Sequence, residues 1–385
     1  MRVRLAYGHV MPGQALPFDL LDNQGQTLLR YGYVLQNQDQ IDRLIEREVY
    51  FDRIEEAAAE SSMTERVSIY LRITDIARDY ESLFADGEQM DYGVIPSIAR
   101  RLQEACELDC DPALACTLLQ KNSRYSLRHA FNTAVLTEVL LRQLGRTPAE
   151  RQDAMAGALT MNVAMMNLQD ALYHQNTPLT PEQKRDIVLH PSAAAALLRQ
   201  HGVDRPIWLD VVEHHHEMID GSGYAKRLQA GALSLEAQVV SLADRYCAMV
   251  SERAYRAGSL PSAAAKDLLT KQGATIDSSL AAVFVREVGI YPPGTVVTLA
   301  NGEVAVVVKR TLNPATPVVR SLRAPSGVRH AEPPKRLTSK PAYAIKEVLS
   351  CDLAKDLDLA VLWPPARLDG SDEGDDGEDS QFVTV

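Results

Sequence analysis

The 385 residues, 46% of them apolar, exceed one average domain and suffice for a substantial core. No run approaches about 18 apolar residues, and the opening MRVRLAYGHVMPGQALPF has neither an apolar core nor a small-residue cleavage site, so neither a membrane span nor a signal peptide is expected. Of the net charge of −11, seven negative charges lie in 369-DGSDEGDDGED-379; the remainder carries about −4 without a basic stripe, which argues against a nucleic-acid polymer as partner.

From residue 1 to about 60 the pattern is β-rich: PFDLLDNQGQTLLRYGYVL reads as two strands around an N-Q-G turn, followed by a short helix near 38–48. This piece reads as a regulatory or dimerising domain. The period then becomes helical. Segments 66–84, 94–108 and 129–145 each place apolar residues at i, i+3, i+4 and i+7. Residues 64–119 read as a helical lead-in and 120–290 as a helical domain. Asp111-Pro112 predicts an N-cap followed by a first-turn proline, and Thr180-Pro181 repeats the device. After Pro292-Pro293-Gly294, TVVTLANGEVAVVVKR predicts a hairpin around Asn301-Gly302, opening a small β-rich appendage over 291–350. Residues 366–385 read as an acidic solvated tail. The five cysteines (Cys106, Cys110, Cys116, Cys247, Cys351) are odd in number without C-x-x-C spacing, which points to free thiols in a reducing compartment. The fold class expected is mainly α, a helical bundle flanked by small β-rich segments.

The histidines carry the chemistry. His9, His174, His201 and His330 lack nearby polar company and read as incidental. His129 heads an amphipathic helix, and His190 precedes Pro191, where a helix N-terminal position is the ordinary reading. The triplet in 213-EHHHEMIDGSGYAKRL-228 is different. Neighbouring helix positions point about 100° apart, so at most two of His214, His215 and His216 face one site. Neutral imidazole is the commonest ligand for divalent transition metals. Asp220-Gly221-Ser222-Gly223-Tyr224 is consistent with a helix stop and with close approach of a ligand to backbone. Asp244 lies on an apolar helical segment, 235–256, where a carboxylate needs a cation, a metal or a hydrogen-bond partner. Arg253 and Arg256 share a face of that segment and are candidates to clamp an anion.

In this order the pieces resemble an HD-GYP domain, a branch of the HD metal-dependent phosphohydrolases that hydrolyse the bacterial messenger cyclic di-GMP. The hallmark H-H-E-x-x-D-G-x-G-Y-P stands as 215-HHEMIDGSGYA-225, with Ala225 in place of proline. The block A-D-x-Y-D-A-L…S-x-R-P-Y-R stands as 243-ADRYCAMVSERAYR-256, with Cys247 and Ala254 as departures. The resemblance covers about 120–290 and implies a metal set of His129, His190, His215, His216 and Asp244, with Gly221, Ser222, Gly223, Tyr224, Arg253 and Arg256 at the dinucleotide. The family's namesake His-Asp pair is replaced by Met161-Asn162 in 157-GALTMNVAMM-166, and its lysine by Met165; Asp170 is the nearest acid, eight residues late.

Asn162 offers a neutral carbonyl and Met161 a soft thioether, poor ligands for iron or manganese. The resemblance therefore implies one divalent metal (Fe, Mn or similar) or none, and a weak or inactive phosphodiesterase that acts by binding cyclic di-GMP or a partner such as a diguanylate cyclase. Two alternatives stay open: an active phosphodiesterase with an altered metal set, and a purely structural adaptor. A bacterial cytoplasmic setting and a homodimer complete the expectation.

Overall fold

The computed structural model describes residues 2–4, 20–22, 27–29, 33, 35–47, 49–52, 68–84, 90–120, 124–252, 258–271, 273–354 and 359–364. The chain divides into two units, Met1–Val67 with Pro365–Val385, and Ser68–Pro364.

In the first unit, strands β1 (Arg2–Arg4), β2 (Leu20–Leu21), β3 (Thr27–Leu29) and β4 (Tyr50–Asp52) form an antiparallel sheet in the order β1-β4-β2-β3. Residues 23–26, the expected N-Q-G turn, lie outside the described residues. Helix α1 (Gln38–Glu46) starts where the Asn37 side chain accepts from Gln40 N, and its Ile41 joins Leu20, Leu35 and Val49 in a small core.

The second unit is mainly α. Its helices are α2 (Ile69–Ser82), α3 (Ile95–Leu108), α4 (Asp111–Leu119), α5 (Tyr125–Gln143), α6 (Pro148–Thr160), α7 (Met166–His174), α8 (Pro181–Gln200), α9 (Pro206–His214), α10 (Leu235–Val250), α11 (Pro261–Lys271) and α12 (Ser278–Val288). Among the described residues no helix is long and apolar enough to cross a membrane. The α5 sequence predicts an amphipathic helix; it is instead buried on nearly every face, packed most extensively against α6 and α10. Its buried threonine hydroxyls are satisfied within the helix: Thr133 Oγ1 donates to His129 O and Thr137 Oγ1 to Thr133 O, both at 2.8 Å. Gly157 lets α6 meet α9, because a Cβ there would stand 2.6 Å from Val211. Trp208 Nε1 on α9 then donates to Thr160 Oγ1 at 2.6 Å, fixing the end of α6.

Helix starts follow the expected chemistry with one correction. Thr147 and Thr180 each form a capping box, with Pro148 and Pro181 in the first turn. Asp111 is not a cap. The residue before α4 is Cys110, Asp109 Oδ1 accepts from Asp111 N at 3.0 Å, and the Asp111 carboxylate turns to Arg310, which the sequence places 199 residues away. The helix expected to run to 256 ends at Val250, and Arg253 and Arg256 lie outside the described residues.

Strands β5 (Val296–Leu299), β6 (Val304–Lys309), β7 (Val318–Arg323), β8 (Lys335–Leu337) and β9 (Ile345–Leu349) make an antiparallel sheet in the order β8-β7-β6-β5-β9. The β5–β6 hairpin turns at Gly302, whose φ of +88° favours glycine. Arg310, just after β6, ties this sheet to the helices: Nε donates to Asp111 Oδ1 at 2.5 Å, and Nη1 to Glu287 O at 2.6 Å and Glu287 Oε2 at 3.2 Å.

Candidate metal centre

The 20-residue helix α8 runs through Pro191, so His190 lies mid-helix and not at a helix start. Proline has no N–H, which leaves the carbonyl four residues back, Ile187 O, without its helical donor. The ring of His190 takes that role, with Nδ1 donating to Ile187 O at 2.7 Å. A carbonyl only accepts, so Nδ1 carries the proton and Nε2 presents a lone pair.

His215 repeats this logic at a helix end. Helix α9 stops at His214, with Glu217 N donating to His214 O at 2.9 Å, and Val212 O belongs to the last turn, whose carbonyls lack helical partners. The His215 Nδ1 donates to Val212 O at 2.9 Å. Its Nε2 then lies 3.1 Å from the Nε2 of His190. Two neutral rings fixed in this way face each other with lone pairs, an arrangement that a cation between them stabilises. Burial, followed by the neighbouring His215, pushes the His190 pKa down to about 3. Burial likewise lowers His215 and, together with His215, His216.

The turn after α9 brings His216 alongside, its ring centroid 4.1 Å from that of His215 and 5.1 Å from that of His190. One ligand atom from each of the three histidines lies within 4.8 Å of the others. His214 faces elsewhere: its Nδ1 donates to Asp210 Oδ1 at 2.8 Å, and Lys226 Nζ donates to its Nε2 at 3.3 Å.

The D-G-S-G-Y loop is held by its own chain. Glu217, buried, accepts from Lys226 N (2.6 Å), Arg227 N (3.1 Å) and Leu228 N (2.9 Å). Gly221 has φ +76°, and a Cβ on Gly223 would lie 2.5 Å from His216 O. Exposed Ser222 turns back on Asp220, its Oγ donating to Oδ1 at 2.6 Å. Tyr224 stacks on His216, with centroids 4.7 Å apart.

Asp244, on α10, accepts from His129 Nε2 at 2.6 Å and stands 3.8 Å from His216 Nδ1. Burial would raise its pKa, but the hydrogen bond from His129 and the adjoining histidines hold it below the usual carboxylate range. His129 stacks on Tyr125 at 5.6 Å, and its Nδ1 is buried without a hydrogen-bond partner. Met161 and Asn162, just past the end of α6, are both buried, and Asn162 Oδ1 has no partner either. Asp170 serves a different purpose. It receives Ser126 N at 2.8 Å, Ser126 Oγ at 3.0 Å and the Arg124 guanidinium, pinning the start of α5 to α7. His190 lines a cleft of ≈ 500 Å³, bordered by Arg124, Met165, Met166, Asp186 and Leu189.

Of the five expected ligands, His190, His215 and His216 converge, and His129 with Asp244 form a pair beside them. The donor set fits a divalent ion. With metal–nitrogen bonds of about 2.1 Å, two cis imidazoles sit roughly 3.0–3.4 Å apart, close to the 3.1 Å between His190 and His215. No local sequence signal marks Glu217's role or the carbonyl that orients His215, whereas Pro191, which leaves Ile187 O without a donor, marks the one that orients His190.

The HD domain family profile matches residues 113–280, which run from within α4 into α12 and hold every one of these side chains. Over these residues, somewhat under half of its length, the chain is similar to the HD domain family. A cyclic di-GMP phosphodiesterase of Pseudomonas aeruginosa is 30% identical over 198 residues, 51% of this chain and 47% of that protein. Another, from Borreliella burgdorferi, is 23% identical over 187 residues, 49% of each. A 3'3'-cGAMP-specific phosphodiesterase of Vibrio cholerae is 25% identical over 150 residues, 39% of this chain and 32% of that one. The chain thus spans about half the length, or less, of these relatives. Among solved structures, an HDG"Y"P protein of Bdellovibrio bacteriovorus aligns with a TM-score of 0.48 and 17% identity, over 74% of this chain and 98% of that one.

Proposed function

We propose that this HD domain protein acts in cyclic di-GMP signalling as a degenerate HD-GYP domain, binding the dinucleotide or a protein partner and hydrolysing weakly or not at all. The observation that carries the reading is the buried Met161–Asn162 pair where the family places its His-Asp pair. The two side chains offer a thioether and a neutral amide oxygen where a two-ion phosphodiesterase needs an imidazole and a bridging carboxylate. Loss of one well-placed electrostatic stabiliser costs about 10²–10³ in rate.

The residues that would hold a single ion are His190, His215 and His216. Such an ion, when bound, supplies Lewis-acid polarisation of a phosphate oxygen. The chain's own contribution is orientation: Ile187 O and Val212 O fix two rings, and Glu217 fixes the loop that carries Gly221, Ser222, Gly223 and Tyr224 toward a ligand. Arg253 and Arg256 enter this reading from the motif alone. Partners of the diguanylate cyclase kind, and a homodimer built through the N-terminal unit, belong to the same proposal.

A second reading, slow hydrolysis with an altered metal set, draws support from His190 lining the cleft. Incubation of the full chain with cyclic di-GMP and Mn²⁺ or Fe²⁺, with products separated chromatographically, decides between them. The first reading expects no product above background and calorimetric binding of the dinucleotide. Turnover that vanishes in His215→Ala/His216→Ala would establish the second.

A further inference from the structure

From the donor set we infer that His190, His215 and His216 form a mononuclear, all-imidazole site that selects a zinc-class ion over manganese, with Asp244 outside the coordination sphere as a counter-charge held by His129. The inference rests on the reading that a single ion remains. It adds which ion that is and which side chains touch it.

Three observations carry it. First, no carboxylate joins the three-imidazole group among the described residues. Manganese favours carboxylate, carbonyl and water oxygens, whereas imidazole suits zinc, copper, iron and nickel. Second, the Asp244 Oδ1 that would face an ion beside His129 is already occupied by His129 Nε2 at 2.6 Å, and the nearest approach of Asp244 to the cluster is 3.8 Å, to His216 Nδ1. The hydrogen-bonded His129–Asp244 pair thereby takes up two of the groups a second ion would need. Third, Asn162 has no charge to offer, and its Oδ1 is buried without a hydrogen-bond partner. What remains is three neutral imidazoles, with His190 at a cleft where a fourth position would meet water or a phosphate oxygen.

The test uses the full chain, stripped of metal and titrated with Co²⁺ as a spectroscopic probe. The expected result is one Co²⁺ per chain, with the intense visible bands of a four-coordinate ion. Stoichiometric Zn²⁺ should erase the bands, and a hundredfold excess of Mn²⁺ should leave them. Asp244→Asn should keep the shape of the spectrum while weakening binding about 10–100-fold, the usual effect of removing an outer partner. His215→Ala should abolish the bands, with the melting curve confirming that the variant is folded.

Two ions per chain, displacement by equimolar Mn²⁺, six-coordinate bands, or a spectrum reshaped by Asp244→Asn would each overturn the inference. Binding of one ion without preference for zinc overturns this inference alone, because cyclic di-GMP turnover is measured separately. Absence of any bound ion overturns it too, and leaves the dinucleotide-binding reading to the calorimetric result.

Discussion

At Pro191 the backbone gives up an N–H, and the carbonyl left over, Ile187 O, orients the His190 ring at 2.7 Å. Pro191→Ala restores the missing donor, which then competes with the ring for that carbonyl. The substitution should leave the melting temperature unchanged or raised, yet weaken metal affinity about 10–100-fold, as loss of an orienting partner does. Competition against a chromophoric chelator measures this. Unchanged affinity would show that the ring is held by something else.

Glu138 on α5 is a second residue whose setting makes a prediction. It is fully buried, 3.4 Å from Arg151 Nε, and accepts from Gln103 Nε2 at 3.3 Å. Burial raises its pKa to about 7, against the opposing pull of Arg151 and the Gln103 hydrogen bond. A raised carboxyl pKa means the folded state holds a proton that the unfolded state has released. The stabilisation is therefore complete below about pH 4.5 and is lost as pH rises through about 7. Between pH 5.5 and pH 8, urea unfolding should register a decline of about 2 kcal/mol from this group. Glu138→Gln should remove that component of the slope.

Among the elements, the junction between β6 and the helices depends on one guanidinium. Arg310 holds Asp111 and Glu287, carboxylates that are both nearly buried, and its Nη2 also reaches Cys110 Sγ. Its fork geometry lets one side chain serve several acceptors, which a lysine cannot do. Arg310→Ala leaves Asp111 with only the backbone N–H of residue 310 and Glu287 with only the exposed Arg286, and should destabilise the Ser68–Pro364 unit by about 1.5–3 kcal/mol. Arg310→Lys should recover only part of the loss in chemical denaturation. Helix α9 and its following turn show the same economy of parts. The helix ends at His214, so His215 and His216 face the site while His214 bonds Asp210.

Across the molecule, the local signals in the sequence located most elements. Apolar periodicity marked α2, α3 and α5, a threonine–proline start marked α8, and Asn301-Gly302 marked the β5–β6 hairpin. The motif around His215 and His216 marked the HD domain and its candidate ligands. What escaped is tertiary in origin. Asp111 reads as a cap locally but answers to an arginine 199 residues on. The burial of α5 on all faces depends on neighbours that periodicity does not report. Pro191 reads as a helix boundary because proline usually ends helices; here a side chain replaces its missing donor. Glu217 reads as part of a ligand motif, yet its carboxylate is consumed by three backbone N–H groups.

In the proposed function, Met161 and Asn162 are the residues that silence hydrolysis. The most direct measurement compares cyclic di-GMP turnover by the full chain with that of Met161→His/Asn162→Asp, both supplied with Mn²⁺ or Fe²⁺. Background turnover by the natural chain and a gain of about a hundredfold or more in the double variant is the predicted result. Robust turnover by the natural chain, not increased by restoring the His-Asp pair, would contradict it.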